Sequence, residues 1–322
     1  MKTVARRLER WLRSSSGIRG KRPALLASFL MALACAGPAH AQDAAAEEPV
    51  TIPEGSVGGM GDINLFPRRI VLDGRERIAT VGLYNRTANE GDYEIGISNM
   101  VMAPNGQIFA VDSLPAGVST ERLQAADEML RWSPRRVTLL GNEAQTVRIM
   151  ARTPADLPPG EYRSHFSVTS IPRDVEGGLS IEDAVLGETD GGSDIGVVIR
   201  PRFGIAIPVI VRVGETTLDV SLSDVALVNT EQGPMFTVTI NRSGTRSAYG
   251  DVIVTMRGQD TPMAVARGVG VYPEVDSRPI MVALDPEFDA SLIRQGAVIR
   301  IDYIDDDVSP GSSLDSVEFA VP

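Results

Sequence analysis

Apolar and polar residues alternate in short runs from residue 61 onward, and Gly, Asn, Asp and Pro separate the runs. A period of two is typical of strands that bury one face, and the intervening residues favour turns. The pattern therefore predicts an all-β protein. The strands predicted in the first half are Arg69–Leu72, Ile78–Tyr84, Tyr93–Met100, Val137–Leu140, Gln145–Met150 and Tyr162–Ile171. Residues 120–130 are predicted to form either a short helix or a polar loop.

The second half of the chain repeats this texture at regular intervals, which suggests a β-sandwich. Its predicted strands are Leu218–Leu222, Phe236–Asn241, Asp251–Met256, Val265–Val271, Pro279–Ala283, Val298–Tyr303 and Val317–Val321. The two halves do not show an obvious sequence repeat.

The longest alternating run, Ile195–Arg212, lies between the two halves. One parity is apolar, and it contains Ile195, Val197, Ile199, Phe203, Ile205 and Ile207. The other parity carries Arg200 and Arg202, so the arginines face away from the apolar row in an extended strand. We interpret the run as a long strand that ends one β domain. It is either buried in its own sandwich or lent to a partner protein. A Gly-rich, acidic segment at 172–194 precedes it, and long loops of this kind are often functional.

The first 41 residues have the layout of a secretory signal: basic residues, an apolar run at Ala24–Ala36, and the small-residue pattern Ala39-His40-Ala41. We expect cleavage after Ala41. Lipid attachment at Cys35 is the less favoured alternative. No later stretch is long and apolar enough to suggest membrane insertion of the mature chain. The predicted organisation is a signal at 1–41, a flexible leader at 42–60, one domain at 61–212 and a second at 213–322.

Composition excludes several kinds of function. Residues 1–41 hold eight of the 31 basic and one of the 42 acidic residues, so the remainder carries 23 against 41, a net charge of −18. Such an acidic protein is not expected to bind nucleic acid through its phosphates. The single cysteine lies in the signal, which leaves no disulfide and no cysteine-based metal site after cleavage. Every basic residue beyond the signal is an arginine.

Few residues are suited to catalysis. The chain beyond the signal has one histidine, His165, inside a predicted strand, and it has no Gly-x-Ser-x-Gly elbow, phosphate loop or dinucleotide fingerprint. The run Asp305-Asp306-Asp307 lacks the ligand spacing of a calcium loop. It is predicted to be a solvated turn, with weak cation binding as the minor alternative. We therefore expect a binding protein without catalytic residues, metal or cofactor.

Four segments together resemble the PapD-like periplasmic chaperones of the chaperone–usher pilus pathway. They are Arg69-Ile70-Val71-Leu72-Asp73-Gly74; Leu83-Tyr84-Asn85; Ser133-Pro134 followed by Gln145-Thr146-Val147-Arg148-Ile149; and Leu157-Pro158 through Glu161 to Ser170-Ile171-Pro172. Each segment is weakly specific alone. Their shared order and spacing, from about Asn64 to Arg212, carry the resemblance.

The resemblance implies two immunoglobulin-like β-sandwich domains in an L or boomerang arrangement, located in the periplasm. In this family a long strand called G1 fills the open groove of a pilin-like subunit, and two basic residues clamp the subunit's C-terminal carboxylate. The subunit is then passed to an outer-membrane usher. The G1 strand would be residues 195–212, with Ile195, Val197, Ile199 and Phe203 as donor residues. Arg69 matches the first anchor. The family's second anchor is usually a lysine, which this chain lacks, so Arg202 is proposed first and Arg200 second.

Two other functional classes remain open at the level of the sequence. One is an immunoglobulin-like structural or adhesive protein, which would not need a paired basic clamp. The other is a hydrolase centred on His165, which would require a nucleophile and an acid within hydrogen-bond reach of the imidazole.

Overall fold

The computed structural model describes residues 56–58, 62–172, 202–259 and 261–322, all of them within one compact unit, Glu48–Pro322. The strands of this part are β1 Val57–Gly58, β2 Ile63–Phe66, β3 Ile70–Leu72, β4 Ile78–Asn85, β5 Gly91–Ser98, β6 Met100–Met102, β7 Ile108–Ala110, β8 Leu130–Ser133, β9 Arg136–Leu139, β10 Ala144–Ala151, β11 Gly160–Ile171, β12 Gly204–Val213, β13 Leu218–Thr230, β14 Gly233–Gly244, β15 Ala248–Met256, β16 Ala264–Val271, β17 Ser277–Ala283, β18 Val298–Asp305 and β19 Ser313–Ala320. Single 3₁₀ turns lie at Asp127–Met129 and Ala290–Leu292. These described ranges contain no helix of the length and hydrophobicity that crossing a bilayer requires.

The first sandwich consists of two five-stranded sheets. Their orders are β1-β2-β4-β10-β8 and β3-β12-β11-β5-β9. Strands β2, β4, β10 and β8 take the A, B, E and D positions of an immunoglobulin sheet, while β12, β11 and β5 take G, F and C. Tyr162 near the start of β11 donates its hydroxyl proton to the carbonyl of Pro158 at 3.1 Å. This is the tyrosine corner of immunoglobulin-like domains.

The second sandwich follows the same plan with fewer strands. Its sheets have the orders β13-β14-β17 and β16-β15-β18-β19. Phe236 on β14 and Phe319 on β19 meet edge to face across the sandwich, with ring centroids 6.4 Å apart. The all-β class predicted from the alternating pattern is confirmed, as are the two immunoglobulin-like β-sandwiches that the resemblance implies.

Strand β12 is shared between the two hydrophobic cores. It pairs with β11 along its whole length and with β3 in parallel from Val209 to Val211. Ile207 and Val209 are buried in the first core, whereas Ile210 on the opposite face is buried in the second. Burial of a full aliphatic side chain contributes about 1.5–3 kcal/mol, so this alternation ties both sandwiches to one strand.

A hairpin formed by β6 and β7 also joins the sandwiches. It lies between β5 and β8 in the chain, and Met102 from it packs into the second core. The first sandwich therefore contributes apolar surface to the second from two separate places.

Each strand predicted from alternation in the two halves overlaps an observed strand, and most ends are displaced by a few residues. The strand predicted at Leu218–Leu222 extends to Thr230, however, and β2 and β8 were not predicted. The main differences concern short elements. The predicted strand Tyr93–Met100 is divided, because β5 ends at Ser98 and β6 begins at Met100. Residues 120–130 form no α-helix but a loop, one 3₁₀ turn and the first residue of β8. The predicted leader extends to residue 60, yet Val57 and Gly58 already pair with β2.

Candidate functional site

Arg69 projects from the residue before β3 against the second sandwich. Its Nη1 lies 3.0 Å from Oδ1 of Asp307, and its Nη2 donates to Oδ2 of Asp307 at 3.2 Å and to Oγ of Ser247 at 3.3 Å. The guanidinium also lies over the ring of Tyr249, 4.6 Å from the centroid. The side chain is only 9% exposed, so the second sandwich holds Arg69 on several sides.

Arg212, one residue before the end of β12, reaches the same carboxylate. It donates to both oxygens of Asp307 and, through Nε and Nη2, to Oε2 of Glu161 at 3.2 and 3.1 Å. Burial alone would raise the pKa of Asp307, but the hydrogen bonds from Arg212 and Arg69 outweigh it and lower that pKa to about 2. Asp307 is therefore ionised at neutral pH and bridges the two sandwiches.

A third arginine, Arg246, completes the cluster, although its side chain forms no hydrogen bond with the described residues. Nη1 of Arg246 lies 3.7 Å from Oδ2 of Asp307 and has no hydrogen-bond partner among the described residues. We call Arg69, Arg212, Arg246, Glu161 and Asp307 the arginine corner. It contains three positive and two negative side chains, so one positive charge is not matched within it.

The acidic run at 305–307 is therefore not the solvated turn that its sequence predicts. Asp305 is buried and accepts hydrogen bonds from the backbone amides of Asp307 and Ser309. Asp307 has a side chain that is 5% exposed and binds arginines. Only Asp306 of the three is exposed. The described residues include no group of three or more His, Cys, Asp or Glu side chains placed to hold a metal ion.

One edge of β12 is open beside this corner. Strand β3 covers that edge only from Val209 to Val211, and within the described part of the chain no other strand pairs with it from Gly204 to Pro208. An unpaired edge exposes backbone N–H and C=O groups that can pair with a further strand. The parallel register aligns Val209 with Ile70, which puts Arg69 level with Pro208. The open edge therefore ends where the arginine corner begins.

The structure does not bring Arg69 and Arg202 together. Arg202 is exposed, lies 3.3 Å from Oε2 of Glu94 and donates to the carbonyl of Ser170 at 3.4 Å. Six residues separate it from Pro208, which is roughly 20 Å along an extended strand. The predicted clamp of Arg69 and Arg202 therefore does not form in this structure. Arg202 has the same parity as Arg212, but it lies too far towards the start of the strand to reach Arg69.

Of the remaining predicted site residues, Phe203 lies at the start of β12, and the others fall outside the described residues. Phe203 is 43% exposed immediately before β12. It lies beside a small concavity whose lining includes Ile63, Tyr93 and Ile205. Arg200 and the donor candidates Ile195, Val197 and Ile199 fall outside the described residues, as does Ala41 at the expected cleavage point.

Among the described residues, His165 lacks the acidic partner that the hydrolase alternative requires. The residue is 4% exposed, and its Nδ1 is buried without a hydrogen-bond partner among the described residues. Burial, together with the positive charge of Arg163, lowers its pKa to about 3. The imidazole is thus neutral at physiological pH, and no described acidic side chain is hydrogen-bonded to its Nδ1, which removes the basis for that alternative.

Two further ion pairs between the sandwiches were not predicted from the sequence. Arg163 on β11 is fully buried: its Nη2 lies 2.7 Å from Oε1 of Glu274, and its guanidinium stacks 3.7 Å from the ring centroid of Tyr272. Arg122 forms an exposed bidentate pair with Asp276 at 2.7 and 2.8 Å. The partners are more than 100 residues apart in sequence, so no local signal could have paired them.

No protein-family model and no curated protein matches the chain. Among solved structures it is similar to the Pseudomonas aeruginosa CupB2 chaperone, at 14% identity and a TM-score of 0.36, covering 79% of this chain and 97% of that one. It is also similar to a chain of the Salmonella enterica SafA pilin complex with the SafB chaperone, at 13% identity and a TM-score of 0.37, covering 82% and 99%. A third is in the CsuC–CsuE chaperone–tip adhesion subunit complex of Acinetobacter baumannii, at 11% identity and a TM-score of 0.39, covering 80% and 98%. Many of the similar solved structures are pilus chaperones of the chaperone–usher type.

Proposed function

We propose that this protein is a periplasmic chaperone that captures pilin-like subunits and delivers them to an outer-membrane usher. It would do so by lending the open edge of β12 and the residues before it, and by holding the subunit's C-terminal carboxylate in the arginine corner. Backbone pairing and charge attraction supply the binding, with no nucleotide or cofactor. The observation that carries the proposal is the position of the open edge, which ends beside Arg69.

Strand β3 limits how far an added strand can extend. A strand that pairs with Gly204–Pro208 must stop where β3 begins to pair with Val209. Its last residue then lies next to Arg69, the residue before β3. Strand addition of this kind gains affinity from main-chain hydrogen bonds, while the alternate side chains supply specificity.

The charge of the corner selects the direction of the added strand. In the parallel direction, which β3 itself follows, the incoming strand ends on its C-terminus beside the arginines. In the antiparallel direction it would present its ammonium group to them. Because the corner has an unmatched positive charge, a carboxylate is attracted and an ammonium is repelled. A C-terminal segment is thus the ligand that fits.

The side-chain register supports a donor role for the residues before β12. Ile205, Ile207, Val209 and Val211 lie on one parity and pack in or against the first core. Phe203 continues this parity at the rim, and Ile195, Val197 and Ile199 have the same parity. In an extended strand these residues would carry the apolar row beyond the sandwich, where a subunit groove could bury it.

An immunoglobulin-like structural protein is the second candidate. It is favoured by one observation: Asp307 already neutralises Arg69, as a purely architectural contact would. The two candidates differ in whether the β12 edge binds a second polypeptide.

Co-expression with a pilin-like subunit, followed by purification of the complex, separates them. We expect a one-to-one complex with the unaltered chain and loss of that complex in Val197→Asp and Phe203→Asp. Leu140→Asp is the matched control, because Leu140, like Phe203, is an exposed apolar residue, at 56%, and it lies outside β12. Undiminished complex in both edge variants would refute the proposal, as would absence of any complex with the unaltered chain.

The proposed periplasmic location can be tested separately. The protein recovered from the periplasmic fraction should begin at Gln42, following cleavage after Ala41. A cytoplasmic protein with an uncleaved N-terminus would contradict it.

A further inference from the structure

Arg246 is the least satisfied charged group of the arginine corner. Its side chain is 13% exposed, and Nη1 is buried without a hydrogen-bond partner among the described residues. Arg69 and Arg212 share the two oxygens of Asp307, and Arg212 also takes Oε2 of Glu161. No carboxylate oxygen of the corner is left within hydrogen-bond distance of Arg246.

An unmatched buried guanidinium is costly, because it has given up hydration without gaining a partner. The cost falls if a second anion enters the corner. Such an anion would meet the two nitrogens that have no hydrogen-bond partner, Nε of Arg69 and Nη1 of Arg246. The charge count agrees, since one more carboxylate would balance three arginines against three acids.

Arg246 lies in the connection between β14 and β15. Arg246 is followed by Ser247, whose hydroxyl accepts a hydrogen bond from Arg69. The backbone amide of Arg246 donates to Thr217, and its carbonyl accepts from Arg242. The second sandwich therefore fixes Arg246 through its backbone, while its guanidinium forms no hydrogen bond with any described residue.

We propose that Arg246 is the second anchor of the carboxylate clamp: with Arg69 it binds the C-terminal carboxylate of the captured strand, while Asp307 remains as the internal counter-ion. This inference rests on the proposed function and assigns the second basic residue to the second sandwich. The clamp would therefore form only when both sandwiches are in place.

The test measures how strongly binding depends on a free carboxylate. The probes are two synthetic peptides that correspond to the last 15 or so residues of a pilin-like subunit, one with a free C-terminal acid and one with a C-terminal amide. Charge-assisted hydrogen bonds are strong enough to change affinity about tenfold, so the unaltered chain should bind the acid at least about tenfold more tightly. In Arg246→Gln this preference should shrink to about threefold or less.

Arg267→Gln is the matched control, because Arg267 also lies in the second sandwich, has a side chain that is 75% exposed and approaches Asp251 only to 3.8 Å. It should keep the full preference. Arg246→Lys keeps the charge and should give an intermediate ratio, which guards against an effect of misfolding in Arg246→Gln. Urea unfolding of each variant checks the fold directly.

The outcomes distinguish the inference from the function on which it rests. If the unaltered chain binds neither peptide and captures no subunit, the proposed function fails. If it prefers the acid and Arg246→Gln keeps that preference in full, the chaperone role stands and Arg246 is not the anchor. If acid and amide bind equally to the unaltered chain, no carboxylate clamp exists and the inference is overturned.

Discussion

Arg69 of the first sandwich and Asp307 of the second meet at 3.0 Å, although 238 residues separate them in sequence. Arg69 adjoins β3, which covers one end of the β12 edge, and Asp307 follows β18. The contact thus couples the joint between the sandwiches to the place where an added strand would end. A residue that holds the domains together also holds the candidate ligand-binding arginine.

Asp307→Asn should strongly destabilise the protein. The change leaves Arg69, Arg212 and Arg246 buried with Glu161 as the remaining acid of the corner. Removal of one partner from a buried ion pair costs about 3–5 kcal/mol, because the other charge stays desolvated. Equilibrium urea unfolding measures this loss.

Asp306→Asn is the control for that experiment, because Asp306 is the exposed neighbour of Asp307. Substitutions at such surface positions usually change the free energy of unfolding by less than about 0.5 kcal/mol. Equal effects of the two variants would show that the corner does not contribute to the joint.

Acidification provides a second test of Asp307. The folded pKa of about 2 lies below the ordinary value of 3.8. The stabilisation is therefore complete above pH 4 and is lost as the pH falls towards 2. Thermal unfolding between pH 5 and pH 2 should show this loss in the unaltered chain and a smaller one in Asp307→Asn. Parallel curves for the two proteins would contradict the assignment.

His165 should make the protein sensitive to a milder fall in pH. Its folded pKa is about 3, whereas an unfolded histidine has a pKa near 6.5. Between these values the unfolded chain binds the proton and the folded chain does not. The stabilisation is thus present above pH 6.5 and declines by up to about 1.4 kcal/mol per pH unit below it. Urea unfolding at pH 7.5 and pH 5 should show a larger loss for the unaltered chain than for His165→Gln, and equal losses would refute a buried neutral imidazole.

The buried and the exposed ion pairs between the sandwiches should differ in energy. Glu274→Gln leaves the fully buried Arg163 without its counter-ion, and we expect a loss of about 3 kcal/mol. Asp276→Asn affects an exposed pair with Arg122, whose side chains are 49% and 74% exposed, so the expected loss is below about 1 kcal/mol. Urea unfolding of both variants measures the two losses. A larger loss in Asp276→Asn than in Glu274→Gln would contradict the expectation that the buried pair contributes more.

Alternation along the chain was sufficient to predict most strands, since a strand that buries one face must alternate. It failed where strands are too short to show a period, as in β6 and β7. The division of the Tyr93–Met100 run arises because the chain leaves the first sandwich after Ser98 and supplies Met102 to the second. The packing of Met102 in the second core is a tertiary contact, which a local sequence pattern cannot predict.

The site was less predictable than the fold for a related reason. Within the described residues, Arg212 has the parity opposite to Ile205 and Ile207, which pack in or against the first core. Which arginine of this strand lies level with Arg69 depends on the register of β12 against β3, and the sequence does not specify that register. Arg202 was therefore predicted to lie beside Arg69, a place that Arg212 and Arg246 occupy in the structure. Asp307 was missed because three consecutive acids resemble a solvated turn unless the arginines that bury them are known.

Hydrogen exchange of the complex tests the central claim most directly. The backbone amides of residues 203–207 that face the open edge of β12 should exchange more slowly when a pilin-like subunit is bound, because the added strand covers them. The open edge of β17, Ser277–Ala283, serves as an internal reference and should not change. A stable complex in which these amides of residues 203–207 exchange as fast as in the free chain would contradict the account.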